Sequence, residues 1–412
     1  MLLVWRRAAE LPGWMKALMV GQLVSSAGAL AWLYLTLYLV EDRGLDAQQA
    51  GFAAAAYGVG LLAGNLGGGW FGDRFGLREA VLGSLLSWSV ACALMPFTPG
   101  GWLVVLSALA GACGGASRPN MSALVTTALP VDRRREAVAL SRTASNAGFT
   151  IGPPLGGLLA AYDFDAVFAV DAVTSLVLAG VIWSKVPRVR RTARHQSATP
   201  GLWRSIARDR SVLVLLAAVV VVDTVYRQQY ATMPLLLRDA GSPPVAYGAL
   251  IAISSVVIVL FEAPLAVWLR RHRATGVIAG GFALVGAGVG VLGAWPALGG
   301  AIVAVLVITA GEMLYKPTAT AHVADAAPDG MVGRFSSLYA AASISGMLLA
   351  PAIGGTAYQH APGWLWPAAA AAALLAATAV LVTRPRVIRG SVPAGTPNGS
   401  TAPPSSASGS PR

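Results

Sequence analysis

The strongest constraint in this chain is a row of apolar runs, each long enough to matter. A helix of about 20 apolar residues crosses a bilayer. Windows of that length give twelve spans, numbered here 1 to 12: 15–39, 50–71, 80–97, 102–128, 137–160, 166–184, 211–237, 246–268, 275–294, 299–325, 334–357 and 364–383. The runs are too long for membrane strands and lack their period-2 alternation. Composition agrees, with 56% hydrophobic and only 12% charged residues, where an ordinary soluble domain carries about 25% charged. The expected fold is an all-α membrane protein of twelve transmembrane helices. No cleavable leader is read, because the run after Lys16 is long and shows no small-residue cleavage site.

The net charge of +12 raises the question of nucleic acid, and its placement answers it. With both termini cytoplasmic, one side of the membrane holds Arg6, Arg7 and Lys16, Arg74 and Arg78, Arg133 to Arg135, the basic central link, Arg270, Arg271, Arg273, Arg334 and the tail. That side takes twenty-four cations, and the other takes only Arg43 and Arg238. Such asymmetry is a topology signal, so the partners expected are a lipid bilayer, a small-molecule substrate and protons, without nucleic acid. The location expected is a bacterial plasma membrane, and the chain is expected to be monomeric. Below, the arginine-rich side is the basic end.

The one long link, KVPRVRRTARHQSATPGLWRSIARDR, divides the spans six and six. The organisation expected is an N-terminal bundle over 1–184, a cytoplasmic loop over 185–210, a C-terminal bundle over 211–385 and a disordered tail over 386–412. The halves repeat. A shift of 198 carries Arg118-Pro119 onto Lys316-Pro317, Pro130 onto Pro328, Gly148 onto Gly346, Pro153 onto Pro351 and Gly156-Gly157 onto Gly354-Gly355. Large transporter folds are built from such repeats, with the substrate between them near the midplane.

Two motifs carry further information. Between spans 2 and 3 stands GGGWFGDRFGLREAV, containing Gly69-x-x-x-Asp73-Arg74-x-Gly76-x-Arg78. Glycines 67, 68, 69 and 72 are expected to bring span 2 close to a neighbour, and Asp73 to accept bonds from Arg78 or from a helix end. The bland alternative is a basic turn that only sets topology. In span 5 stands Arg142-x-x-x-Asn146-x-Gly148-x-x-x-Gly152-Pro153-x-x-Gly156-Gly157. Its prolines remove backbone donors inside a helix; the functional reading is a bending point and a tight helix contact that prevents leak, and the bland alternative is a passive kink.

These motifs, in these spans, resemble the major facilitator superfamily. The first is similar to that family's signature loop, and the second to the motif of its antiporter branches, the drug:proton antiporters especially. The resemblance covers nearly the whole chain. It implies two pseudo-symmetric six-helix bundles and alternating access, with a gate at Gly69, Asp73, Arg74, Gly76 and Arg78. It departs in two places. Ser107 stands where the family often has an arginine in span 4, and the second-half counterpart of the loop, AVWLRRHRAT, keeps the charge without the acid.

A charge at the bilayer centre costs about 2.5–3.5 kcal/mol on insertion scales, so it usually faces a cavity or a partner. Arg118, Arg142, Asp223, Arg227, Glu262, Glu312 and Lys316 are the cases here, with Asp171 a weaker one near an end of span 6. Asp223 and Arg227, and Glu312 and Lys316, are four apart and so share a helix face. They read either as self-neutralising pairs or as carboxylates that exchange protons, in the order Glu312, Glu262, Asp223. Arg118 and Arg142 are expected to pair with Asp223 or Glu312 across a cavity, or to bind an anionic substrate. Asn120, Asn146, Tyr226, Gln228, Gln229, Tyr230 and Tyr315 offer polar contacts, and Trp32, Tyr34 and Tyr38 offer stacking.

The function expected is proton-coupled efflux of a small amphipathic compound, a drug or natural product. The alternatives are a metabolite or sugar uniporter or importer on the same fold, and a non-transporting sensor or scaffold. A membrane-embedded enzyme is not expected, since His195, His272, His322 and His360 are scattered. No cofactor is expected, since no Gly-x-x-x-x-Gly-Lys-Ser/Thr pattern occurs and a proton gradient suffices. Cys92 and Cys113 both fall in spans and suggest neither a disulfide framework nor a metal site.

Overall fold

The computed structural model describes residues 12–129, 131–187, 209–269, 271–327 and 331–383. Arg6, Arg7, Arg270, the central link from 188 to 208 and the tail from 384 lie outside the described residues, as do the side chains of Arg133 to Arg135. All twelve spans are helical. Span 2 is Ala47–Phe75, span 3 Leu77–Leu94, span 4 Gly100–Thr127, span 5 Val131–Tyr162 and span 6 Phe164–Lys185. Spans 8 to 12 are Pro244–Leu269, Ala274–Ala294, Leu298–Asp325, Val332–His360 and Pro362–Val382. Among the described residues, eleven helices are long and apolar enough to cross a membrane. Span 5 is the helix that falls short, because Ser141, Arg142, Ser145 and Asn146 interrupt its apolar run.

Spans 1 and 7 are not the continuous helices that the sequence predicts. Span 1 divides into Gly13–Ala27 and Ala31–Glu41, and span 7 into Arg210–Tyr226, Gln228–Ala231 and Met233–Asp239. The repeat shift carries Ala29 onto Arg227, so the first break in span 7 is the counterpart of the break in span 1. A helix start leaves its first N–H groups without intrahelical partners. At the second segment of span 1, the Ala31 N–H donates to Asp171 Oδ2 of span 6 at 2.9 Å. In span 7 the third segment opens with Pro234, which has no donor to lose. Broken backbone survives at membrane depth only where protein or a cavity covers it.

The packing repeats as the sequence does. Spans 2 and 4 pack together as do 8 and 10, 3 and 4 as 9 and 10, and 3 and 6 as 9 and 12. Span 1 packs on 5 and 6, and span 7 on 11 and 12. The two halves meet through spans 2 and 11 and through spans 5 and 8.

The tightest seam inside the N-terminal half joins spans 2 and 4. Gly60, Gly64 and Gly68 lie against the backbone of Ala108, Ala112 and Ala116, a step of four residues on each helix. Such small-residue stripes let membrane helices approach closely. Gly72 ends the stripe against Asn120, whose Nδ2 donates to the Gly68 carbonyl at 2.7 Å. Asn120 is therefore a buried staple between these spans and does not line the cavity. Gly67 and Gly69 have no neighbour within 4 Å, so only Gly68 and Gly72 of the four signature glycines perform the close packing expected of all. Gly76 adopts φ +99°, a conformation open to glycine, and turns the chain directly from span 2 into span 3. Buried Arg78 donates from Nε to the Ile182 carbonyl at 3.2 Å and also to that of Trp183. It pairs with Glu79 at 3.5 Å, so it anchors the signature loop to the end of span 6. Arg74 lies over Trp70 and Phe75, and Asp73 is exposed.

Candidate functional site

At the end opposite the basic one, the halves close on each other backbone to backbone. A Cβ on Gly51 would strike the Pro351 carbonyl, and one on Gly355 would lie 3.0 Å from the Cα of Gly51. A Cβ on Gly157 would lie 2.7 Å from the Cα of Val245, and one on Gly248 would strike the Pro153 carbonyl. The shift of 198 carries Pro153 onto Pro351, Gly157 onto Gly355 and Ala47 onto Val245. The two seams are therefore copies of one contact, placed by the repeat. Tyr34 reinforces one of them. Its Oη donates to the Pro153 carbonyl at 2.6 Å, and its ring meets that of Tyr247 edge-on at 5.5 Å. On the other, the Ala47 N–H donates to Gln359 Oε1 at 3.2 Å. The antiporter-type motif thus has a physical job on two faces. Gly148, Gly152 and Gly156 lie against span 1, while Pro153 and Gly157 meet span 8.

On the basic side of this seal lies a cavity of about 670 Å³, lined by spans 1 to 6. Trp32 and Phe149 stand at its deep end, stacked with ring centroids 6.3 Å apart and planes 9° apart. Arg118 of span 4 and Arg142 of span 5 line it and are exposed. Eight serines and Asn146 contribute hydroxyl and amide groups. Among the described residues the single acid in its wall is Asp171, only 1% exposed. That carboxylate accepts Trp88 Nε1–H at 2.8 Å and the Ala31 N–H at 2.9 Å. Ser141 Oγ donates to Gln22 Oε1 at 2.6 Å and ties span 5 to span 1 at the rim.

The C-terminal half holds a second polar group of residues. Lys316 Nζ and Glu312 Oε1 are 2.7 Å apart, an ion pair as the spacing predicts, with side chains 27% and 15% exposed. Lys316 also lies 3.8 Å from the centroid of the Tyr226 ring. Asp223 does not pair with Arg227. The helical backbone still reaches Arg227, whose N–H donates to the Asp223 carbonyl at 3.0 Å, but the two side chains take other partners. Asp223 Oδ1 instead accepts the Tyr315 hydroxyl at 2.5 Å, and Arg227 lies over Tyr226 and Tyr230 at 5.8 Å from each. Asp223 Oδ2, Arg227 Nε and both amide atoms of Gln229 are buried with no partner among the described residues. Trp32 reaches across to Tyr230 at 5.5 Å, and with Arg227 they line a small pocket of about 40 Å³ between the halves.

Several sequence expectations change here. Arg118 and Arg142 have no ion-pair partner among the described residues, so neither pairs with Asp223 or Glu312 across the cavity. Tyr315 is fully buried, engaged by Asp223 and away from the large cavity. Gln228 is buried too, donating to the Ala350 carbonyl at 3.1 Å. Tyr38 is buried beneath Arg43, which binds the Pro96 carbonyl at 2.6 Å. Glu262, second among the proton candidates, is exposed and does not line the cavity. Asp171, Trp88, Tyr57 and Gln22 are cavity residues that spacing did not single out. Asp171 carried a signal, as an acid inside an apolar run. Among the described residues, no three His, Cys, Asp or Glu side chains cluster closely enough to hold a metal.

Two repeat-related helical bundles closed on each other at one end, with a polar cavity lined by spans 1 to 6 on the basic side, have the architecture of a membrane transporter. The chain belongs to the Major Facilitator Superfamily, whose family model matches residues 18–343 and 229–408. It is 26% identical over 345 residues to the multidrug resistance protein MdtH of Shigella dysenteriae serotype 1, covering 81% of this chain and 82% of that protein. It is 24% identical over 358 residues to the MFS-type transporter YttB of Bacillus subtilis strain 168, covering 85% of this chain and 89% of that one. Among solved structures, an auto-inhibited peptide transporter of the POT family matches with a TM-score of 0.75 at 16% identity, over 90% of this chain and 96% of that one. That last likeness is one of fold alone.

Proposed function

We propose that this transporter exports a small amphipathic compound in exchange for protons, and that the structure corresponds to its inward-open state. The observation that carries the reading is the pairing of one sealed end with a cavity on the basic side. The arginine asymmetry makes the basic end cytoplasmic, so the cavity takes substrate from the cytoplasm while the glycine seams close the outside. Opening those two seams and closing the basic end delivers the substrate outward. The antiporter-type motif supports the outward direction, because it forms one of the seams. The likeness to a multidrug resistance protein supports it as well.

In this reading the proton acts on the C-terminal half. Protonating Glu312 removes its charge from Lys316, 2.7 Å away, and frees that ammonium to rearrange against Tyr226. One charge falling through 100 mV supplies about 2.3 kcal/mol. The test is efflux from substrate-loaded cells or reconstituted liposomes, with and without a protonophore. Collapse of the proton gradient stops efflux on this reading, and efflux that continues unchanged refutes the coupling.

A further inference from the structure

The cavity itself carries information about what it holds. Among the described residues its wall contains two cations, Arg118 and Arg142, and one anion, Asp171. These charges are not equivalent. Asp171 is spent on the protein: its oxygens accept the Trp88 indole N–H and the first N–H of the resumed helix in span 1, and Ser175 Oγ stands 3.5 Å away. The guanidinium groups are exposed in the cavity and, among the described residues, have no carboxylate within ion-pairing distance. In the other half Glu312 pairs with Lys316 at 2.7 Å and Asp223 is buried against the Tyr315 hydroxyl, and neither lines the cavity. The small pocket above the cavity adds a further cation, Arg227, and no acid lines it.

Around the two arginines stand hydroxyl donors, and at the deep end stand flat aromatic rings. A volume of about 670 Å³ falls within the range of pockets that enclose drug-sized molecules. Guanidinium groups favour planar oxyanions, which they bind with paired N–H donors. A lipophilic cation entering this space would meet two like charges without an available carboxylate.

We infer that the substrate class is an aromatic or otherwise flat organic monoanion, a carboxylate or sulfonate, held by Arg118 and Arg142 against Trp32 and Phe149. This rests on the reading of the cavity as the transport site and adds its charge preference. It also sets an energetic sign. An anion leaving the cytoplasm moves down the usual inside-negative potential, so each exported charge is favoured by about 2.3 kcal/mol per 100 mV.

The test uses the full-length protein in nanodiscs of zwitterionic lipid and three ring-matched probes: 2-naphthoate, 2-naphthol and N-methylquinolinium. Equilibrium dialysis measures binding of each. The expected order is 2-naphthoate at least tenfold tighter than 2-naphthol, with N-methylquinolinium weakest. The double variant Arg118→Gln/Arg142→Gln is expected to bind 2-naphthoate no better than 2-naphthol while its affinity for 2-naphthol is unchanged. That unchanged affinity reports an intact cavity. N-methylquinolinium binding tightest, or a naphthoate preference that survives the double substitution, overturns the inference. Should the double variant also lose 2-naphthol, single Arg118→Gln and Arg142→Gln variants decide. A reduced naphthoate preference in either, with 2-naphthol binding retained, supports the inference, and an unchanged preference in both overturns it. Liposome efflux under a protonophore separates the two readings. Anion binding without transport refutes export and leaves the charge preference standing; proton-driven export of the cation alone does the reverse.

Discussion

Gly157→Ala tests the seal directly. In the structure described here, the added Cβ falls 2.7 Å from the Cα of Val245 and 2.9 Å from the Pro244 carbonyl oxygen. Both neighbours are backbone, so no side chain can swing aside. Overpacking of this kind costs about 1–3 kcal/mol. The clash exists only while spans 5 and 8 touch, so in the outward-open state the methyl group has room. The substitution therefore shifts the balance between the two states by about 5–150-fold toward outward-open. Cys113 lines the cavity and Cys92 is 1% exposed, which supplies a native reporter. In a Cys92→Ser background, a membrane-impermeant maleimide applied from outside labels Cys113 in proportion to the outward-open population. The expected result is a rise in labelling rate of that same order. Gly280→Ala is the control, since nothing lies within 4 Å of its added Cβ. Wild-type labelling by Gly157→Ala, or an equal rise with Gly280→Ala, would refute the account of the seam.

Three further substitutions follow from the site. Glu312→Gln is expected to abolish proton-driven efflux in reconstituted liposomes while insertion and thermal stability persist; undiminished efflux removes Glu312 as the proton carrier. Asp171→Asn leaves either the Ala31 N–H or the Trp88 N–H facing an amide donor, a loss of about 1–3 kcal/mol. Its unfolding midpoint is expected to fall, and an unchanged midpoint contradicts the pinning of span 1. Asp73→Asn is expected to slow transport at normal membrane levels, and normal transport reduces that loop to a basic turn.

The helices and the repeat were legible because the sequence pattern itself carries them, whereas the helices that span 5 meets were not. A run of 20 apolar residues needs no distant partner to be recognised, and Gly157 and Gly355 declare their equivalence through register alone. The breaks were not legible in the same way. Ala31 lies 140 residues from Asp171, the group that receives its N–H, so span 1 reads as one helix until the fold is seen. Pro234 did mark the disruption in span 7, although it marks the third segment and not the turn at Arg227. The Asp223–Arg227 spacing misled because Tyr315, 92 residues away, takes the Asp223 carboxylate while Arg227 lies over Tyr226 and Tyr230. Glu312 and Lys316 lie within unbroken helix, and there the spacing held.

Span 5 also connects the sealed end to the cavity. Its outer half carries the glycines and Pro153 that join it to spans 1 and 8, while its middle carries Arg142 and Asn146. It is the one helix that falls short of the apolar content its neighbours have, and an arginine at such a depth costs about 2.5–3.5 kcal/mol when lipid is the only surrounding. In the folded protein this segment is covered by helices that precede and follow it in the chain. Span 1 receives Gly148 and Gly152, and span 8 meets Pro153 and Gly157. The helix that carries the cavity's Arg142 is thus also the one that joins the two halves at the sealed end, so a change of contact at Gly157 acts on the same rigid element that lines the cavity.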